Sequence, residues 1–238
     1  MTAPLLLLKV GSSSPSLKAA RGDYDRIFID AMPFLRDPMV VHDAQAAPPP
    51  EGRDWAAVIV TGSASSVHDR EPWSEDAAAW LKQEVERGTP VLGVCYGHQL
   101  LAHALGGRTE RSQLGPEVGR WDVTWDDDPL FAGLARPLPV FQLHWDRVVE
   151  PPPGARVFGW SERCPVQAMA LGDRVRSVQF HPEFDEPIVA MRFEDHGPRL
   201  DRWRPGEWAR CEATLGPADD ARLVLRNFIE RFTDVATR

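Results

Sequence analysis

Four short apolar runs stand out in the first hundred residues of the chain. They are residues 1–10, which end in LLLLKV, and residues 26–32, 56–62 and 90–95. Each run is bounded by glycine, proline or polar residues, which is typical of buried strands. The polar segment between the second and third runs contains three consecutive prolines and is predicted to be a link. Apolar residues with helical spacing before and after the last run, over residues 75–87 and 97–105, predict a parallel sheet covered by helices on both faces.

The middle of the chain has a different pattern. Residues 120–125 and 140–149 are rich in β-branched and aromatic residues, which favours strands. Two further apolar runs flank Gly172–Asp173, a two-residue turn suited to a hairpin. We therefore expect antiparallel strands in addition to the parallel ones.

Beyond about residue 185 the pattern becomes helical. Residues 221–232 place their apolar side chains on one face of a helix. The whole pattern predicts a single α/β domain over residues 1–238, with a mostly parallel central sheet and an antiparallel insertion. Residues 185–238 are expected to form a helical C-terminal extension of that domain.

Composition and charge narrow the classes of function. The 238 residues carry a net charge of −8, which gives no support for nucleic-acid binding. No apolar run approaches the roughly 20 residues of a membrane span, and the start of the chain lacks the features of a signal peptide. The three cysteines are odd in number and widely separated, which argues against a disulfide framework. We expect a cytoplasmic protein with no nucleic-acid or membrane partner.

The most distinctive local pattern is a cysteine between a predicted strand and a predicted helix. In the segment GVCYG, Cys95 stands between Gly93 and Gly97. A side chain at such a turn projects above the carboxyl edge of the sheet, where α/β proteins bind ligands. The pattern is the thiol counterpart of the G-x-S-x-G turn that carries a nucleophilic serine. The glycines would permit a strained backbone, the helix dipole would favour a thiolate, and the N–H of Tyr96 would donate to an oxyanion.

Two other interpretations of Cys95 have to be weighed. A small cysteine buried between glycines is common in protein cores. The other interpretation is a zinc site, because His98 and His103 follow Cys95 on the next helix. Against it, no further cluster of cysteine and histidine residues completes the four ligands that zinc needs. We expect no metal, and we expect Cys164 and Cys211 to be inert thiols.

A nucleophilic cysteine needs a base, and one of the seven histidines has a suitable setting. His181 lies in VQFHPEF, just after a predicted strand. Pro182 disfavours helical geometry at His181, and residues i and i+2 of an extended segment share a face. Glu183 is therefore placed to orient His181 and to stabilise its charged form. Most of the other histidines are expected to be solvated or structurally hydrogen-bonded.

The two motifs together are more specific than either alone. GVCYGHQLLAHALGG, followed about 80 residues later by QFHPEF, resembles the class I glutamine amidotransferases. Within them it is most similar to the stand-alone proteins related to the glutaminase domain of GMP synthase. The resemblance implies a flavodoxin-like, three-layer α/β fold. It also implies a triad of Cys95, His181 and Glu183 that releases ammonia from L-glutamine through a thioester, without a cofactor.

The same resemblance implies further residues of the pocket. The turn at Gly62 and Ser63 corresponds to a glycine-rich turn whose backbone N–H supplies the second oxyanion donor. This donor falls on Ser63, where the relatives often have glycine, and it would act together with the N–H of Tyr96. Gln99 corresponds to a glutamine that binds the backbone end of the substrate, and Gly62 is also a candidate substrate-binding residue.

A His-x-Asp segment is also expected to line the substrate pocket. Here it reads HWD, residues 144–146. By the resemblance, Leu143, His144 and Trp145 are candidate substrate-binding residues. Leu143 and Trp145 replace the small or polar residues often found beside that histidine, and Trp145 has the alternative role of packing under the site.

Three functions agree with these motifs. The first is hydrolysis of L-glutamine, with the ammonia used by a separate synthetase or acceptor subunit, because the chain shows no nucleotide-binding loop and no synthetase domain. The second is a γ-glutamyl peptidase with the same triad, acting on a γ-glutamyl compound. The third is a non-catalytic regulatory or binding subunit, whose mark would be a broken triad or turn, and neither is broken here.

Overall fold

The computed structural model describes residues 3–238, except for the side chains of residues 194–196. The first predicted strand includes residues 1 and 2, which lie outside the described residues. The strands are β1 (Leu5–Lys9), β2 (Val40–Asp43), β3 (Ala57–Val60), β4 (Val91–Val94), β5 (Arg108–Arg111), β6 (Glu117–Trp125), β7 (Leu138–His144), β8 (Asp146–Glu150), β9 (Arg156–Trp160), β10 (Ala168–Leu171) and β11 (Val175–Val178). The helices are α1 (Pro15–Arg21), α2 (Tyr24–Ala31), α3 (Pro72–Glu86), α4 (Tyr96–Ala104), α5 (Glu186–Trp203), α6 (Glu207–Ala213) and α7 (Leu223–Phe232).

Nine strands of the described chain form one sheet, in the order β2-β1-β3-β4-β11-β10-β9-β6-β7. The first five strands in this order are parallel. Each of the remaining four runs antiparallel to the strand before it. Strands β5 and β8 pair separately. The predicted α/β fold is confirmed, and the antiparallel strands continue the parallel sheet instead of standing apart from it.

Side chains of the parallel strands alternate between two hydrophobic clusters, one on each face of the sheet. On β1, Leu5 and Leu7 pack with α2 and α7. Leu6 and Leu8 pack with α3 and α4 on the other face. Because both faces are covered by helices, the strand is apolar at almost every position, which explains its unbroken run.

One predicted strand is a helix. The apolar run at residues 26–32 belongs largely to α2, whose first N–H, that of Tyr24, donates to the carboxylate of Asp23. The buried side chains of α2 recur at helical spacing: Tyr24, Ile27, Phe28 and Ala31. The strand prediction was wrong because a short apolar run does not distinguish the two periods.

Two smaller differences concern one additional strand and the length of one turn. The segment predicted as a link contains the edge strand β2, which pairs in parallel with β1 but is only partly buried. The hairpin predicted at Gly172 is confirmed between β10 and β11, with three connecting residues, 172–174, in place of two.

A third hydrophobic cluster packs α5 and α6 beside β6 and β7. Phe193 of α5 and Cys211 of α6 belong to it, together with Val118 and Phe141 of the two strands. This packing brings α5 beside the edge of the sheet that carries Cys95. No helix within residues 3–238 is long and apolar enough to cross a membrane.

Candidate active site

Cys95 occupies the sharp turn between β4 and α4, as the glycine-flanked pattern predicts. Its φ of 54° and ψ of −103° lie in a region that residues other than glycine rarely adopt. The N–H of Cys95 donates to the carbonyl of Val178 on β11, 2.9 Å away. Strain of this kind costs about 1–3 kcal/mol and is concentrated at functional turns. The turn places the side chain of Cys95 in the wall of a cavity.

Gly93 and Gly97 are required for close packing. The expectation that these glycines themselves adopt a strained backbone is wrong. A Cβ atom on Gly97 would lie 2.6 Å from the carbonyl oxygen of Val60, and one on Gly93 would lie 2.6 Å from the carbonyl oxygen of Gly97. The positive φ belongs to Cys95 and to neither glycine. Glycine at both positions lets α4 approach β3 and β4, and this approach fixes the turn.

The imidazole of His181 lies beside Cys95 and is held by Glu183. Its Nδ1 is 2.7 Å from Oε1 of Glu183, and both side chains are buried. Burial alone would lower the pKa of His181, but its interactions with Cys95 and Glu183 raise it to about 10. The ring of Phe184 stacks on the imidazole, with the centroids 4.1 Å apart. The i, i+2 arrangement expected around Pro182 is present, and the raised pKa favours the imidazolium form of His181.

The raised pKa of His181 leads to a pH dependence that can be measured. If the imidazolium protonates the leaving group, kcat/KM should fall as the pH rises through the pKa of His181, near 10. Glu183→Gln removes one of the negative charges that raise this pKa, so the alkaline limb should move to lower pH. Steady-state pH profiles of the two proteins check the shift, and a limb that stays in place would contradict the assigned pair.

The surroundings of Cys95 differ from those of the other two cysteines. Nε2 of Gln179 lies 3.8 Å from Sγ of Cys95, within hydrogen-bond distance for sulfur. Burial raises the pKa of Cys211 to about 11, and it also raises the pKa of Cys164 well above its usual range. These two thiols therefore stay protonated at neutral pH, in agreement with the prediction that they are inert.

Both predicted oxyanion donors border the cavity that contains Cys95. A Cβ atom on Gly62 would lie 3.1 Å from Cε1 of His181 and 3.7 Å from Cβ of Cys95, so the turn after β3 passes directly beside this pair. Ser63 follows in the same turn and lines the cavity. Tyr96 is the first residue of α4, so its N–H has no carbonyl acceptor within the helix. The oxyanion roles of Ser63 and Tyr96 stay predictions.

Gln99 and His144 are fixed in the cavity wall by one shared carbonyl group. Nε2 of Gln99 donates to the carbonyl of Asp146 at 2.8 Å and to Oε1 of Gln179 at 3.1 Å. Nδ1 of His144 donates to the same carbonyl of Asp146 at 3.0 Å. Because both amide hydrogens of Gln99 are used within the protein, its Oε1 is the atom through which it would bind a substrate ammonium group. The substrate-binding roles of Gln99 and His144 stay predictions.

Behind His144 lies a buried polar cluster that the sequence analysis missed. Oε2 of Glu117 is 3.0 Å from Nε2 of His144 and accepts from Nε2 of Gln167 at 2.6 Å. Oε1 of Glu117 accepts from Oγ of Ser161, also at 2.6 Å. Both ring nitrogens of His144 thus face oxygen atoms, which fixes the orientation of the ring. No local motif marks Glu117, because its partners come from distant segments of the chain.

The residues considered for a zinc site do not come together. Nδ1 of His98 is 2.8 Å from Oγ of Ser177, and burial lowers the pKa of His98 to about 3. His103 faces an acidic side chain nearer the surface. Among the described residues, the group with metal-ligand spacing is Glu117, His144 and Cys164. Its thiol stays protonated and its carboxylate is already hydrogen-bonded, so this group gives no reason to assign a metal.

Several residues that the sequence analysis did not mark also line the cavity, whose volume is about 150 Å³. They include Tyr24, Ser66, Arg111, Arg192 and Arg199. Leu143 and Trp145 line it too, where the resemblance puts them. The guanidinium carbon of Arg111 lies 4.8 Å from the ring centroid of Trp145, and that of Arg199 lies 4.4 Å from it. The site therefore combines a thiol, a buried imidazole and several cationic groups.

The sequence of the chain is similar to those of several known proteins. Residues 40–187 match the family model described as glutamine amidotransferase class-I. The chain is 32% identical over 190 residues to the glutamine-hydrolyzing GMP synthase of Clostridium novyi. The aligned region covers 79% of this chain and 34% of that protein. It is 27% identical over 190 residues to gamma-glutamyl peptidase 2 of Arabidopsis thaliana, covering 77% of each.

A solved structure has the same fold. The glutamine amido transferase from Methylobacillus flagellatus superimposes with a TM-score of 0.77 and 23% identity, covering 98% of this chain and 96% of that one. The chain spans about a third of the length of the matched GMP synthase and most of the length of the other two proteins.

Proposed function

The chain belongs to the class I glutamine amidotransferase family, and on that premise we propose that it hydrolyses the side-chain amide of L-glutamine to glutamate and ammonia. Cys95 is the proposed nucleophile. His181 transfers the protons, and Glu183 orients His181. The backbone N–H groups of Ser63 and Tyr96 stabilise the oxyanion, and the reaction uses no cofactor.

The proposed reaction has two steps. The Cys95 thiolate attacks the amide carbon, the C–N bond breaks, and the His181 imidazolium gives its proton to the departing nitrogen, so that ammonia leaves and a thioester forms. Neutral His181 then takes a proton from water, whose oxygen attacks the thioester carbon. The C–S bond breaks, which releases glutamate and restores the thiolate and the imidazolium. In both steps the carbonyl oxygen becomes negative for a moment, and N–H donors lower the energy of that state.

The observation that carries this proposal is a thiol at a strained turn beside a buried histidine of raised pKa. A histidine buried without a charged neighbour has a lowered pKa and stays neutral. The pKa of His181 is about 10 because negative groups lie next to it. Such a pair supports a catalytic role over that of a non-catalytic subunit, which has no need to keep a cysteine beside a charged histidine.

Formation of glutamate from L-glutamine by the purified chain tests the proposal. We expect a slow reaction for the chain alone and a faster one when the synthetase that uses the ammonia is added. Ser63 stands where the relatives often have glycine, which makes it harder for the peptide to flip and complete the oxyanion hole. One missing donor costs about 10²–10³-fold in turnover. A partner restores this rate only if it binds the active arrangement more tightly than the resting one.

Single-turnover acylation, followed by mass spectrometry of the quenched protein, separates the outcomes. Thioester formation by the chain alone, at the rate seen with candidate synthetases present, would argue against control by a partner. No glutamate under either condition would refute glutamine hydrolysis itself.

A γ-glutamyl peptidase is the second candidate function. The same two steps apply, with an amine leaving in place of ammonia. The similarity to the Arabidopsis peptidase over most of both chains favours it. A second cavity beside the site also favours a substrate larger than glutamine.

We also propose that residues 1–238 act as one domain, with α5–α7 as its helical extension. Packing of α7 against the sheet and of α5 beside the candidate site supports this arrangement. The three cysteines are free thiols, which supports a reducing, cytoplasmic location.

A further inference from the structure

A second cavity opens beside the one that contains Cys95. It is lined by Arg202 and Trp203, and by Arg111, Trp145 and Arg199, which line the first cavity as well. Its volume is about 500 Å³, against about 150 Å³ for the first. The two spaces are therefore adjacent, and the second is called the outer cavity.

The shared wall, formed by Arg111, Trp145 and Arg199, is called the basic shelf here. Burial and the nearby charge of Arg111 lower the pKa of Arg199, and the carboxylate of Asp146 acts in the opposite direction. That carboxylate is hydrogen-bonded to Oγ of Ser66. Among the side chains that the structure describes, neither arginine of the shelf forms an ion pair with a carboxylate. The shelf is therefore a concentration of positive charge in a chain whose net charge is −8.

The charge of Arg111 acts unfavourably on Arg199, and an anionic ligand bound to these two groups would offset this repulsion. The ring of Trp145 contacts both groups, so their planes are partly ordered before a ligand arrives. A preorganised guanidinium fork matches the two oxygens of a carboxylate. The shelf has the chemistry of a carboxylate-binding site.

We propose that the basic shelf binds a second carboxylate of the substrate, so that glutamyl compounds with two carboxylates, such as γ-glutamyl peptides with a free C-terminus, are preferred to counterparts in which that carboxylate is replaced by a neutral group. The proposal rests on the proposed hydrolysis at Cys95 and names the substrate class of that site. Free glutamine has one carboxylate. The outer cavity is lined by three guanidinium groups, those of Arg111, Arg199 and Arg202, which is more positive charge than one carboxylate balances. The second carboxylate belongs either to the amine released from the γ-amide or to a residue attached to the α-amino group.

Two matched pairs of substrates test the proposal on the full chain. γ-Glutamylglycine carries its second carboxylate on the released amine, and γ-glutamylethylamide is its neutral counterpart. Aspartylglutamine carries it on the α-amino side, and alanylglutamine is its neutral counterpart. The kcat/KM values are measured for the wild-type protein, for Arg111→Gln and Arg199→Gln, and for Arg226→Gln. Arg226 is an exposed arginine of α7 that lines neither cavity and serves as the matched control.

The wild-type protein and the control are expected to prefer one dicarboxylic substrate to its neutral counterpart by about tenfold or more, as for a hydrogen bond between charged groups. Arg111→Gln and Arg199→Gln should each reduce this preference at least about fivefold, mainly through KM. The pair that shows the preference identifies which end of the glutamyl unit faces the shelf. Equal kcat/KM values within both pairs, or an unchanged preference in the two shelf variants, would overturn the proposal.

Binding to Cys95→Ala distinguishes failure of the shelf from failure of the hydrolysis. Calorimetry with the same four compounds needs no turnover. If the wild-type protein hydrolyses neither these compounds nor L-glutamine, the hydrolysis proposal fails, but tighter binding of one dicarboxylic compound, lost in Cys95→Ala/Arg199→Gln, still supports the shelf. Equal or undetectable binding within both pairs overturns the shelf proposal whatever the catalytic result.

Discussion

Cys95→Ala is expected to reduce glutamine hydrolysis by at least about 10⁴-fold while the protein stays folded. The substitution removes the sulfur that forms the thioester, so neither step can follow its covalent route. Alanine keeps the Cβ atom and adopts the positive φ of this turn no less readily than cysteine does. The lost sulfur borders a cavity, so its removal disturbs little packing. Glutamate formation and a urea unfolding curve on the same sample measure the two effects.

Cys164→Ala and Cys211→Ala are matched controls for this result. Both remove buried thiols that do not line the cavity. Each variant, compared per folded molecule, should hydrolyse glutamine at close to the wild-type rate. Substantial turnover by folded Cys95→Ala would contradict the assigned nucleophile, and so would an equally large loss in Cys164→Ala.

His181→Ala is expected to lower kcat/KM by about 10²–10⁴-fold, the range for removal of a general acid and base. Glu183→Gln should cost less, because the carboxylate orients the imidazole and stabilises its charge but transfers no proton. Steady-state kinetics of the two variants on glutamine give the order directly.

His103→Ala is the control for His181→Ala, since His103 lies nearer the surface against an acidic side chain and outside the cavity. It should leave kcat/KM close to the wild-type value. If Glu183→Gln proved more damaging than His181→Ala, the two roles would have to be reassigned.

The parallel half of the fold could be predicted because its strands are buried on both faces. In β1, β3 and β4 nearly every position is apolar, so each strand stands out as an unbroken run. The edge strand β2 could not be found in this way, because its side chains are only partly buried. Helix α2 carries a run too short to reveal its period, although the capping Asp23 and the spacing of its buried residues were present in the sequence.

The positions of Cys95, His181 and Glu183 in the fold could be predicted because local geometry defines each of them, whereas the triad roles came from the family resemblance. Cys95 stands at a turn between glycines, and His181 and Glu183 flank a proline in an extended segment. The basic shelf is different, because it joins Arg111 at the end of β5 to Arg199 in α5. Their proximity depends on how α5 packs beside β6 and β7, and no local pattern encodes that packing.

During the proposed reaction Cys95 bonds covalently to the side-chain carbonyl carbon of glutamine. The most direct measurement is peptide mapping by mass spectrometry after treatment with a glutamine analogue that carries a chloromethyl ketone in place of the amide. We predict a single label per chain, on Cys95, and excess glutamine should prevent it. Cys164 and Cys211 should stay unlabelled because they do not line the cavity and their raised pKa keeps them protonated. Label spread over the three cysteines, or label on Cys164 or Cys211 with Cys95 unmodified, would contradict it.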